Sequence, residues 1–248
     1  MPLEKAFIRA IQAFQPVFWQ LNAGSCYRMW VNWSSGTGGG KLWTERTLSR
    51  GVPSMSFSEG QPMNSAQETL ISRRSIFSFR DHPVDRNILE EAFEAARHAP
   101  CHKHTHPWKF YLMGEATRLQ LIPGVDQIVR LKNPEATSNL FEKARRKILE
   151  PPELIAVTSR KSPADPFREE EDYAATVCAL HNLVLSLWSR GVGAQWTTGA
   201  ITRDPVVYEA LGVSEHEERV IGFVKVGYPE EVPRTKKKAL DEIRFYLP

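Results

Sequence analysis

The chain reads as a mixed α+β sandwich, and three observations predict it. Helical and strand patterns alternate from Ser65 onward, yet few stretches can be strands. The longest helical pattern, Glu169 to Arg190, is apolar on more than one side, as suits a central helix buried all round, partly by a second subunit. No dinucleotide-binding glycine fingerprint follows a strand, because Gly191-Val192-Gly193 is succeeded by Trp196-Thr197-Thr198-Gly199 with the wrong spacing. A large parallel sheet is disfavoured.

Each element has a local reason. Ala66 to Arg73 reads as a short helix with Leu70 and Ile71 on its apolar side. Ser75 to Pro83 is extended and turn-like. Asp85 caps a helix from Arg86 to about Arg97, with Ile88, Leu89, Ala92, Phe93 and Ala96 on one face. Lys109 to Met113 alternates like a strand, Thr137 to Leu149 is helical, and Leu154 to Ser159 is a short buried strand. In the long helix Tyr173, Val177, Leu180, Val184, Leu187 and Trp188 recur every three or four residues, and Gly191 closes its end. Val192 to Trp196 is a strand or turn. Asp204-Pro205 opens a helix that Gly212 stops, and Arg219 to Gly227 is a β-branched strand. A tail follows, with Lys236-Lys237-Lys238 and then Phe245-Tyr246-Leu247.

Composition narrows the function. Of 248 residues, 42% are hydrophobic and 25% charged, the balance of a soluble globular protein. No uncharged apolar run approaches the roughly 18 residues of a membrane-spanning helix. Three widely spaced cysteines, Cys26, Cys101 and Cys178, with no CxxC, argue for a reducing, cytoplasmic setting. The whole net charge of +3 lies in residues 1–62, so the remainder presents no overall positive field to nucleic acid. Residues 1–62 carry Trp19, Trp30 and Trp33 among Ser, Gly and Asn, without sustained periodicity. They read as an extension outside the fold, with translation proper starting at Met55 or Met63, or else as an acid-poor transit peptide. Their Gly36-Thr37-Gly38-Gly39-Gly40-Lys41-Leu42 run fails as a P-loop, because Leu42 stands where a hydroxyl must reach Mg²⁺. The folded domain is expected over residues 63–248.

Chemistry concentrates in His98-Ala99-Pro100-Cys101-His102-Lys103-His104-Thr105-His106-Pro107-Trp108, which lies between a helical and a strand pattern. Such a basic, proline-stiffened loop can hold a flat aromatic anion. It can also be read as a metal site: were it extended, His102, His104 and His106 would share one face, with Cys101 adjacent.

Four blocks, in this order, resemble the nitroreductase family of FMN-dependent oxidoreductases. They are Arg73-Arg74-Ser75 with Phe79 and Pro83-Val84; Ala99-Pro100 with His106-Pro107-Trp108; Gly191 through Gly199; and Val220 through Pro229. They span about residues 64–248, and the shortness of the body resembles the family's compact branch. The resemblance implies a nitroreductase-like sandwich with a small, mostly antiparallel sheet flanked by helices and a C-terminal tail swapped across an interface. It implies a homodimer with two FMN sites, each built from both subunits, NADH or NADPH as electron donor, and a nitroaromatic, quinone or similar electron-poor acceptor. No residue need act as a nucleophile, since the flavin carries the chemistry.

The matching positions suit that role. Arg73 can grip an FMN phosphate with its planar fork, Arg74 adds charge and Ser75 a hydroxyl. Trp196, Thr197 and Thr198 match the segment that lines the flavin, where Gly199 permits close approach. Lys237 best matches the basic phosphate ligands near the family's C-terminus. One position departs: many members have Lys or Arg two residues after the serine, against the reduced flavin's N1–O2 anion, and here stands Phe77. Candidates for that task are His102, His98 and His104. Two alternatives stay open: an FMN-binding or storage protein without turnover, and a histidine-rich metal-binding protein.

Overall fold

A computed structural model of the protein describes residues 65–248. The expectations for residues 1–62, including the glycine run 36–42, fall outside the described residues. Helix α1 (Ser65–Ser72) leads into an extended segment and then α2 (Arg86–Arg97). Asp85 caps α2 by accepting from the Asn87 amide at 2.8 Å. Strand β1 (Trp108–Leu112) is followed by α3 (Glu115–Gln120), α4 (Ile122–Lys132) and α5 (Ser138–Leu149). Then come β2 (Glu153–Arg160), the long α6 (Pro166–Ser189), β3 (Gly193–Thr197), α7 (Pro205–Leu211) and β4 (Glu218–Gly227).

Among the described residues the sheet has four strands in the order β1-β2-β4-β3, every neighbour antiparallel. Its two faces carry separate cores. Ile155, Val157, Val224 and Val226 pack with α2 and α6, whereas Leu154, Ala156 and Phe223 pack with Leu121, Val125, Ile148 and Val207. Both faces of β2 and β4 are buried, which explains their near-continuous apolar runs. The β2–β4 register shifts between Val157 and Thr158, which face Gly222 and Val220 and leave Ile221 as the extra residue of a bulge.

Helix α6 follows its caps. The Asp165 carboxylate accepts from the Arg168 amide at 3.1 Å, and Pro166 holds the first helical position. Gly191, at φ 74°, ends it in the left-handed conformation that glycine adopts freely. One side of α6 packs on α2 and the sheet through Ala179, Leu180, Leu183 and Leu187. On another side Ala174 and Cys178 are exposed.

Leu70 and Ile71, on the apolar side of α1, are 51% and 61% exposed in one chain. Helices α3 and α4 had no counterpart in the sequence reading. They are anchored by the buried Arg118, which donates to the carbonyls of Met113 (2.8 Å), Pro151 (2.6 Å) and Pro152 (3.2 Å). Among the described residues no helix is long and apolar enough to cross a membrane.

Candidate functional site

The segment after α1 is held in three ways. The Trp188 indole donates to Ser72 Oγ at 2.9 Å, tying α1 to α6. The Arg74 guanidinium turns back to donate to the carbonyls of Ile71 and Arg73, each at 2.8 Å, and so satisfies acceptors at the helix end. The Ile76 amide then donates to Ala194 O at 3.1 Å, laying the segment along β3. This approach needs a glycine at 193, because a Cβ there would stand 2.5 Å from Ile76 Cγ1.

The two arginines are thereby separated in role. Arg74 supports the backbone. Arg73 is half-buried, and no hydrogen bond or ion pair joins its guanidinium to another described residue. Its charge reaches His181 on α6: desolvation first, and Arg73 second, hold that imidazole below the ordinary histidine pKa. Sequence reasoning passed over His181, which lies inside an apolar helical pattern with nothing local to mark it. Ser75 is exposed beside Arg73.

The Trp196 turn continues from the same strand. The indole lies over Gly222 and donates to Ile221 O at 3.4 Å, while a Cβ at 222 would come within 2.2 Å of Trp196 Nε1. The bulge and its glycine thus seat the ring, which stays 37% exposed. Thr197 Oγ1 donates to Phe223 O at 3.3 Å, so this hydroxyl braces β4. Thr198 and Gly199 are exposed, and a Cβ at 199 would meet nothing within 4 Å. That open space suits close approach by a ligand.

The basic loop is strained and pinned. Lys103, His104 and His106 adopt φ of 51°, 52° and 43°, a conformation that costs about 1–3 kcal/mol in a side chain-bearing residue. The N-terminal part of α6 and the end of β2 hold it there. Thr105 Oγ1 donates to the buried Asp172 at 2.7 Å, Arg160 donates to Thr105 O at 2.9 Å, and His102 Nδ1 stands 2.9 Å from Glu171 Oε1. Asp172, Glu171 and Arg160 are supports that the sequence reading missed, since all three lie more than fifty residues away in the chain. His98 sits at the end of α2 with Nε2 3.0 Å from Glu94 Oε1, on an open cleft of about 940 Å³ between α1, α2 and α6.

The extended geometry required by the metal reading does not form. His102 turns to Glu171, His104 stacks on His106, and His106 Nδ1 lies 3.9 Å from Cys101 Sγ. Among the described residues no three His, Cys, Asp or Glu side chains gather as metal ligands.

Ser75 thus bridges the edge strand β3, which leads into the Trp196–Gly199 turn, and Arg73 is close enough to His181 of α6 to act on its charge. The His102 loop is further along α6: Glu171 and His181 are ten residues apart, about 15 Å at the α-helical rise. Lys236, Lys237 and Lys238 are exposed on the tail. A half-buried guanidinium without a described partner, a free hydroxyl, an uncovered glycine and an open indole fit a flat ligand carrying an anionic group.

Comparison with known proteins bears on which ligand. Residues 70–228 match the model described as the Nitroreductase family. YfhC of Bacillus subtilis (strain 168), which carries the provisional name NAD(P)H nitroreductase, is 30% identical over 72% of this chain and 92% of its own. A nitroreductase-like family protein from Bacillus cereus superimposes with a TM-score of 0.60 at 28% identity, over 75% of this chain and 98% of that one. The FMN and NADPH-dependent nitroreductase NfnB from Sphigopyxis sp. strain HMH shares the fold, with a TM-score of 0.56 at 18% identity over 75% of this chain and 100% of its own.

Proposed function

This chain belongs to the nitroreductase family, and from that premise we propose that it is an FMN-dependent oxidoreductase. Its electron donor is NADH or NADPH, and its acceptor is a nitroaromatic, a quinone or another electron-poor molecule. The observation that carries this reading is Arg73, a half-buried cation without a described partner, two residues before the bridge that joins Ser75 to Ala194 of β3.

Arg73 would hold the FMN phosphate through charge-assisted hydrogen bonds, and Ser75 would add a donor. Arg74 contributes charge while keeping the end of α1 in place. Trp196 walls the flavin, and Thr197, Thr198 and the bare backbone at Gly199 border it. Lys237, exposed on the tail, would add a further cation to the phosphate. When bound, FMN would supply the hydride chemistry between a nicotinamide donor and the acceptor. The chain's part is to bind, orient and exclude water.

The working unit in this reading is a homodimer, with His98 and His102 reaching the flavin from the other subunit. Its support is apolar surface that one chain leaves bare: Leu70 and Ile71 on α1, Ala174 and Cys178 on α6, and Phe245, Tyr246 and Leu247 on the tail. The tail is the segment swapped across that interface. Residues 63–248 form the flavin-binding domain, and residues 1–62 are an extension outside it. The free thiols Cys101 and Cys178 support a reducing, cytoplasmic setting.

A storage protein that binds FMN without turnover is the second reading. It draws on Phe77, 70% exposed where many family members carry a basic residue. Steady-state oxidation of NADH or NADPH with a quinone acceptor separates the two. The oxidoreductase turns over many equivalents of donor, and a pure binder turns over none.

A further inference from the structure

A cavity of about 500 Å³ opens between α4, α5 and the turn Ala200–Arg203, on the opposite face of the sheet from α2 and α6. Its walls are mainly aliphatic, with Val125, Val129, Leu140 and Ile201 among them, Asn133 beside them and no aromatic ring among the described lining residues. Among the described residues its charges are cationic: Lys132 from α4, and Lys143 and Lys147 from α5. Lys143 and Lys147 are four residues apart and so share one side of their helix, where like charges repel. Two nearby acids are engaged elsewhere, Asp126 with Arg145 at 2.8 and 2.6 Å and Glu150 with Arg146 at 3.3 Å.

Positive charge extends inward from this rim. Lys225 of β4 is half-buried, and no hydrogen bond or ion pair joins it to another described residue. Burial first, and Lys147 second, lower its pKa. Three surface cations around an apolar slot, with a fourth behind them and no carboxylate in the lining, form a site short of one anion.

We propose that this slot binds a small amphipathic monoanion, an aliphatic carboxylate, with its chain among the walls of α4 and α5 and its head group among Lys132, Lys143 and Lys147. A volume of about 500 Å³ lies within the usual range of about 300–1,000 Å³ for small-molecule pockets. The aliphatic lining selects a saturated chain over a flat ring, and the lysines select carboxylate over alcohol or amine. The occupant would rest on Ala200 and Ile201, which directly follow the Trp196–Gly199 turn. The site does not depend on the flavin reading, and it is testable by binding alone.

The test is calorimetric titration of the full chain with sodium octanoate below its micelle concentration, with 1-octanol and octylamine as matched probes. Saturable binding of one octanoate per chain is expected, with weaker binding of octanol and none of octylamine. The double variant K143Q/K147Q exchanges exposed side chains and is expected to weaken octanoate about threefold to tenfold, leaving octanol unchanged. Ala144→Phe, which fills the slot, is expected to abolish both. The proposal is overturned if octanoate shows no saturable binding, or if it binds K143Q/K147Q as tightly as the unsubstituted chain.

Discussion

At the scale of single residues, Arg73 and Arg74 are neighbours with different tasks. Arg73→Gln is expected to weaken FMN about tenfold to a hundredfold, matching the loss of charged hydrogen bonds worth about 1.5–3 kcal/mol, with little change in melting temperature. Arg74→Gln is expected to do the reverse, costing about 1 kcal/mol of stability through the end of α1 and weakening FMN less. Flavin-fluorescence titration and thermal melts separate the two. The arginine pair was legible as a motif, but the division of labour was not, because it depends on which guanidinium folds back on the helix. Glu218 was not legible at all. It accepts from Lys109, from Thr158 Oγ1 at 2.5 Å and from Tyr111 at 3.0 Å, partners separated from it by at least 60 residues. Burial would raise its pKa, but these donors outweigh burial and lower it. A carboxyl with a lowered folded pKa stabilises the fold above its unfolded pKa, and that contribution is lost as pH falls through the folded value. Glu218→Gln is expected to cost about 1–3 kcal/mol at neutral pH and to flatten the acid limb of the stability profile, as chemical denaturation across pH would show.

At the scale of elements, the site depends on how closely backbones approach. Gly193 lets the segment after α1 lie against β3, and Gly222 seats Trp196. Gly193→Val is expected to push Ile76 away, costing about 1–3 kcal/mol by overpacking and loosening FMN as Arg73 shifts. Denaturant melts with FMN titration read both effects. Helices with clear caps were legible to within a few residues: α2 from Asp85, and α7 from Asp204-Pro205 to Gly212, whose φ is 66°. Helices α3 and α4 were not. Leu119 and Leu131 point outward, and Pro123-Gly124 interrupts the pattern, although Gly124 is needed under Val206, where a Cβ would stand 2.6 Å from Cγ1. The histidine loop was recognised as a focus. Its conformation was not, because strain at Lys103, His104 and His106 is imposed by Asp172 and Arg160 from elsewhere in the fold.

At the scale of the whole molecule, the α+β class followed from alternating patterns and the scarcity of strands. The strand order β1-β2-β4-β3 did not, since every pairing joins segments distant in sequence and nothing local encodes it. The apolar side of α1 is a related case. Leu70 and Ile71 form the apolar side of the helix, and one chain leaves both exposed, as a surface awaiting a second copy would be. The central claim is that two chains together hold FMN, each binding the phosphate through Arg73. Sedimentation velocity of the FMN-reconstituted protein, recorded at once in the protein and flavin absorption bands, tests it most directly. The account predicts that flavin absorbance travels with a dimer at one FMN per chain. A colourless boundary in the presence of excess FMN, or flavin carried by a monomer, would contradict it.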